Sequence, residues 1–186
     1  MIDQPFKKGD KIVRFGRVFE IFKIQAEKNS ETGESEKLMY FRPVYETLAD
    51  KTLICSIPIN NVDQTNIRRP MSDEQVDDLL TMLVSKIEVE DRFNTRLAKE
   101  VLKSNDPEKI ALILKKLAIV ERDPDTNFTY TKKRVFSQGL KRLQEEIALV
   151  KKISLEEACQ KLIKLLKRQA VKSFPIEIDE CDSSSK

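Results

Sequence analysis

The chain changes character at Arg68-Arg69-Pro70. Before this point, short runs of β-forming residues alternate with turn residues. After it, one amphipathic helical pattern follows another, each with its own start signal. Such a chain must bury one apolar surface of period 2 and another of period 3.6. The expected class is α+β: a small, strongly curved β-sheet or open barrel, then an all-helical part of about five helices.

Four strands are expected. Lys11 to Arg14 reads as the first, with a turn at Gly16. Arg17 to Gln25 is rich in β formers: Val18, Phe19, Ile21, Phe22 and Ile24. Glu27 to Glu36 is polar and contains Asn29, Ser30 and Gly33, which predicts a hairpin loop. Leu38 to Tyr45 is the third strand. Pro43 cannot donate to a ladder, so this strand should lie at an edge or carry a bulge. Thr52 to Pro58 is the fourth.

Ser72 with Gln75 forms a capping box ahead of Val76, Leu79, Leu80 and Leu83. The next helix is expected over Val89 to Leu102, with Phe93, Leu97, Val101 and Leu102 inward. Asp106-Pro107 is an N-cap followed by a first-turn proline, and Asp123-Pro124-Asp125 ends that helix. Thr131 is expected to cap a long helix with Phe136, Leu140, Leu143, Ile147 and Val150 in one stripe. Ser154 with Glu157 repeats the capping box before Leu155, Ala158, Leu162, Leu165 and Leu166. The polar tail Ser173 to Lys186 is expected to be disordered.

Composition narrows the chemistry. Met1 to Ile67 holds ten Lys/Arg against ten Asp/Glu, whereas Thr131 to Lys172 holds twelve against four. The basic block suits either a solvated helical surface or an anionic partner. There is no histidine, so no Ser-His-Asp or Cys-His arrangement is available. Cys55, Cys159 and Cys181 are widely spaced, and no zinc site is expected. Cys55 and Cys159 sit among apolar neighbours and read as buried thiols, as in a reducing cytoplasm. Phosphate-loop and dinucleotide motifs are absent from the sequence. The adjacent pairs Asp77-Asp78, Glu145-Glu146 and Glu156-Glu157 point about 100° apart on a helix and read as solvated charge. No catalytic residue, cofactor or metal is expected. The opening Met1-Ile2-Asp3-Gln4-Pro5 is polar, and neither a signal peptide nor a membrane span is expected.

The order of motifs resembles the CarD/CdnL-like bacterial transcription regulators. Phe6-Lys7-Lys8-Gly9-Asp10-Lys11-Ile12-Val13 resembles their opening F-x-x-G-D-x-V-V. Val18-Phe19-Glu20-Ile21 resembles the G-x-I strand. Ser56-Ile57-Pro58-Ile59-Asn60-Asn61-Val62 resembles the V-P-x-x-N-A strand end. Ile67-Arg68-Arg69-Pro70-Met71-Ser72 resembles the L-R-x-x-x-S junction. Leu102-Lys103-Ser104-Asn105-Asp106 resembles the L-x-S-G-D helix break. Thr129 to Arg134, with Leu143, Glu145 and Glu146, resembles L-S-x-x-E-K and its later L-x-x-E. The family carries a tryptophan against promoter DNA, at a position near Asp91 here. This chain has no tryptophan.

The resemblance implies a non-enzymatic, monomeric, cytoplasmic regulator in three parts. Residues 1–67 would be a Tudor-like RNA-polymerase-interacting β domain, 68–170 a helical DNA-contacting domain, and 171–186 a tail. The β domain would pair at a sheet edge with the polymerase β subunit through Gln25, Ile54, Cys55, Ser56, Ile57 and Pro58. The helical domain would touch promoter DNA through phosphates and stabilise the open complex, using Arg92, Phe93, Arg96, Lys99, Lys132 and Lys133. Two other readings stay open. One is a polymerase-associated protein–protein adaptor that has lost DNA binding. The other is an RNA-binding accessory protein.

Overall fold

The computed structural model describes residues 6–28, 35–47, 50–85, 93–122 and 127–168. Arg92, Cys181, the Asp123-Pro124-Asp125 helix stop, most of the expected hairpin loop and the Ser173 to Lys186 tail lie outside the described residues.

Four antiparallel strands form one sheet in chain order: β1 (Lys11–Arg14), β2 (Arg17–Lys28), β3 (Ser35–Pro43) and β4 (Cys55–Pro58). β1 and β2 meet through a two-residue turn, with Arg14 opposite Arg17. Both turn residues have positive φ, 51° at Phe15 and 73° at Gly16, as a tight antiparallel hairpin demands. A Cβ at Gly16 would also land on the Arg142 side chain, so glycine is required there twice over.

β2 and β3 run further than the sequence pattern predicts, to Lys28 and from Ser35. Ladder pairing carries their polar ends: Glu27 lies opposite Glu36 and Lys28 opposite Ser35. β4 is shorter than predicted, starting at Cys55. β3 is an interior strand, not an edge, because it pairs β2 on one side and β4 on the other. Pro43 is tolerated because it is the last residue of β3, beyond the stretch that pairs with β4. The bulge falls on the partner strand, where Phe22 is the extra residue between Ile21 and Lys23. One sheet face is a closed core of Ile12, Phe19, Ile21, Met39, Phe41 and Ile57, covered by Val62 and Ile67. Val62 comes from a short 3-10 turn, Ile59–Gln64.

Five α-helices follow: α1 (Asp73–Val84), α2 (Thr95–Ser104), α3 (Pro107–Arg122), α4 (Tyr130–Lys151) and α5 (Leu155–Arg168). Both capping boxes form, Ser72 with Gln75 and Ser154 with Glu157. Asp106 accepts from the Glu108 and Lys109 amides at the start of α3. The cap of α4 is Thr129 rather than Thr131, so the helix starts two residues early. α2 begins after Asn94, whose side chain takes the Arg96 and Leu97 amides. Phe93 therefore precedes the helix instead of lying on its stripe. With that start, Ala98 and Leu102 face the core, and Leu97 is 57% exposed rather than inward. The α4 stripe is as expected at Phe136, Leu140, Leu143 and Ile147, with Val150 half-buried. At Gly139, a Cβ would fall 2.8 Å from the Leu114 side chain, which fixes how closely α3 approaches α4.

Arg68 makes the central link between the two apolar clusters. The Arg68 backbone extends the sheet, exchanging hydrogen bonds with Val13 at 2.8 and 3.1 Å. Its guanidinium reaches Glu146 on α4 in a two-pronged pair, 2.6 Å at each prong. Glu146 is fully buried and also accepts from the Met71 amide at 2.7 Å. Asn105 completes the seam. It ends α2 in the left-handed conformation, which asparagine tolerates. Its amide donates to the Val13 and Asn66 carbonyls and accepts from the Gly16 amide, while its own carbonyl accepts from Arg68 Nε.

Removing one partner of a buried charge pair strands the other. Arg68→Met is expected to lower unfolding stability in urea by about 3–5 kcal/mol. Adding Glu146→Gln should recover part of that loss, because the unpaired charge is gone while an acceptor for Met71 remains. A double variant no more stable than Arg68→Met would contradict this account.

Candidate docking edge and nucleic-acid face

β4 is a terminal strand, and its side away from β3 pairs with no described strand. Alternation along it divides the expected polymerase-binding residues. Cys55 and Ile57 face the core, Ile57 buried and Cys55 half-buried. The expectation of a buried thiol holds in full only for Cys159. Ser56 and Pro58 point to the opposite, open face. There Leu38 is register partner to both Gln25 and Pro58, and Tyr40 to both Lys23 and Ser56. Gln25, Ser56 and Pro58 thus share a surface with Phe22 and Tyr40, whose rings lie 6.3 Å apart. Lys23 lies over Tyr40, and Arg42 over Phe22. Ahead of β4, Leu53 is exposed and Ile54 is 62% exposed. An apolar pair beside an open strand edge is a strand-pairing surface in chemical terms.

The expected DNA-contacting residues are more scattered. Phe93 is half-buried and packs against the helical core. Arg96 is exposed and pairs with Glu100 at 3.6 Å, while Lys99 is exposed one turn on. Lys132 turns back, its ammonium donating to the Asn127 carbonyl at 2.9 Å. Lys133, 100° further round α4, is exposed. The structure therefore brings Arg96 and Lys99 to one face of α2 and leaves Lys132 and Lys133 on different faces of α4.

The sequence reading missed the pair Glu145-Glu146, which it took as solvated charge. Glu145 Oε2 accepts from the Val18 amide at 2.8 Å, and Oε1 lies 3.4 Å from Arg17 Nε. Arg17 in turn donates to Asp50 at 2.9 Å and to the Tyr45 carbonyl at 3.1 Å. Burial pushes the Glu145 carboxyl above its ordinary pKa, against the pull of Val18 and Arg17. Asp50 is the better-matched partner: its bonds from Arg17 and Thr47 hold it below the usual aspartate value. The missed signal was the place of Glu146 on the apolar stripe, one residue before Ile147 and three after Leu143. Among the described residues there is no group of three or more His, Cys, Asp or Glu able to hold a metal ion. No described helix is long and apolar enough to cross a membrane. A cleft of about 250 Å³ at the junction is lined by Arg68, Arg69, Gln75, Asp106 and Glu108, with both signs of charge.

A small β-sheet is clamped to a helical bundle, with an open strand edge on one and exposed cations on the other. Residues 81–163 match the family model described as CarD, C-terminal domain. That match, over a little under half of the chain, supports the protein as a CarD/CdnL-like family member, a family of non-enzymatic transcription regulators that generally interact with RNA polymerase. No curated protein matches the chain.

The raised Glu145 pKa has a signed consequence. An acid harder to ionise when folded favours the native state most below its unfolded pKa, near 4.5, and that contribution is lost as pH rises through the folded value. Glu145→Gln removes this titration and keeps an acceptor for the Val18 amide. Wild-type stability relative to the variant should therefore fall with rising pH across this window and then level off. A difference that is constant with pH would contradict the assignment.

Proposed function

We propose that this protein is a CarD-like transcription regulator that docks on the RNA polymerase β subunit through the β4 edge and touches promoter DNA with its helical half, lengthening the life of the open complex. The observation that carries the reading is the outer side of β4, which pairs with no described strand, with Ile54 exposed beside it. Main-chain pairing there would supply affinity, and Ser56, Pro58 and Gln25 would supply side-chain selectivity. Residues 1–67 act as the polymerase-interacting part and 68–170 as the DNA-contacting part. The clamp at Arg68 holds them in one geometry.

DNA contact is a matter of phosphates in this reading. Lys99 and Lys133 are exposed and free to meet a backbone, Arg96 is exposed but shared with Glu100, and Lys132 has its ammonium bound locally. Phe93 is half-buried against the helical core, which favours a packing role over a DNA wedge. The adaptor reading without DNA contact takes its support from the absence of tryptophan.

Ile54→Lys is the direct test of docking, since the residue is exposed and its change leaves both cores intact. Capture of purified bacterial RNA polymerase by the full chain should weaken at least tenfold, with unchanged urea unfolding. Undiminished capture would move the docking site away from the β4 edge.

A further inference from the structure

One face of α4 carries a pattern that neither the clamp nor the docking edge uses. Tyr130, Lys133, Arg134, Ser137, Gln138 and Lys141 are all exposed, and their spacing by threes and fours sets them on one side of the helix. The buried Val135, Phe136, Gly139, Leu140 and Leu143 occupy the other side. The exposed face runs about 16 Å. Between Tyr130 and Gln144 the sequence contains no Asp or Glu. Among the described residues, none of Lys133, Arg134 and Lys141 lies within ion-pair distance of a carboxylate. Some cations elsewhere on the helices are matched, Arg96 by Glu100 and Lys151 by Asp73 and Asp77, while others such as Lys99, Lys161 and Lys164 are exposed with no ion pair among the described residues, so it is the carboxylate-free run together with Tyr130 that marks this face.

At the leading end of this face stands Tyr130, 80% exposed. Its ring packs on no other aromatic and lies under no cation among the described residues. An unsupported aromatic ring beside three unmatched cations, with hydroxyl and amide donors between them, has the chemistry of a nucleic-acid platform. The cations suit phosphates, Ser137 and Gln138 suit phosphate or sugar oxygens, and the ring suits the flat face of a base. A closed duplex hides its base faces, so the ring finds a partner where bases are unpaired.

We propose that this face of α4 binds DNA at a fork, with Lys133, Arg134 and Lys141 on phosphates and the Tyr130 ring stacked on an unpaired base. This rests on the reading that the helical half contacts DNA, and it names the face and the form of DNA recognised. It also assigns an aromatic contact to a chain without tryptophan, at a different position from the one the family uses.

The test is fluorescence anisotropy with the full chain, a labelled 20-base-pair duplex and the same duplex with five unpaired bases at one end. The wild type should bind the fork about tenfold tighter, within the usual range of a base–aromatic stack. Tyr130→Ala should abolish that preference and leave duplex affinity unchanged, and Tyr130→Phe should keep it. Arg134→Ala and Lys141→Ala should weaken both ligands alike, each flattening the salt slope by about 0.9. A fork preference that survives Tyr130→Ala, or a wild type with no preference, overturns the inference while leaving duplex contact standing. A wild type that binds neither DNA at low salt overturns the underlying reading and the inference with it. Tighter binding to single-stranded RNA of the same sequence overturns it in favour of an RNA surface.

Discussion

The two-pronged pair between Arg68 and the buried Glu146 is the interaction on which the rest of this structure depends. Arg68 belongs to the sheet by its backbone and to α4 by its side chain, so neither part can shift without breaking the pair. A pair of this kind adds little net stability against an apolar alternative, since Glu146 leaves water entirely and Arg68 in part. Its value is geometric: a guanidinium fork accepts a carboxylate in one orientation, and the Met71 amide fixes the carboxylate from a third side. Asn105 reinforces the arrangement from the end of α2 by binding backbone groups of the β1–β2 hairpin and of the linker at Asn66. Glu145 and Arg17 add a further link to β2.

Such a seam fits a protein whose two surfaces act on one assembly. With a flexible joint, each binding event would leave the other to a local concentration set by the linker. A fixed joint prepays that cost, so an edge docked on one partner presents the helical surface to the second at a defined place. The distribution of charge agrees with such a division. The sheet's open face mixes cations with Glu20 and Glu27 around Phe22 and Tyr40, as protein contacts do. The exposed face of α4 carries Lys133, Arg134 and Lys141 and no carboxylate.

Much of this fold is legible in the sequence, because local rules and packing point the same way. The two capping boxes, the Asp106-Pro107 start, the strand of β1 and the apolar stripe of α4 follow from residue type and spacing. Boundaries shift where pairing overrides local preference: polar Glu27, Lys28, Ser35 and Glu36 become strand because they face one another across a ladder. Pro43 suggested an edge because a strand's order in a sheet cannot be seen from one strand. The α2 stripe was misjudged because Ala98 and Leu102 set the buried face of a helix that starts after Asn94, which leaves Leu97 outward.

The site was less legible, for a physical reason. Glu145 and Glu146 look like solvated charge until their partners, Arg17, Val18, Arg68 and Met71, are brought from more than seventy residues away. Adjacent carboxylates on a helix do diverge, yet here they diverge into two different links of one seam. Likewise Lys132 and Lys133 are neighbours in sequence and separate in direction. A basic block in the sequence therefore overstates the number of cations available to an anionic partner.

The central claim is that one rigid seam fixes the docking edge relative to the helical surface. Pulsed electron-spin distance measurement tests it most directly, with labels at Ser56 and Ser137 in a background lacking the native cysteines. The account predicts a single narrow distance distribution in the otherwise native chain, and a broadened one when Arg68→Met removes the clamp. A broad distribution with Arg68 and Glu146 both present would show that the two parts move freely, and would contradict it.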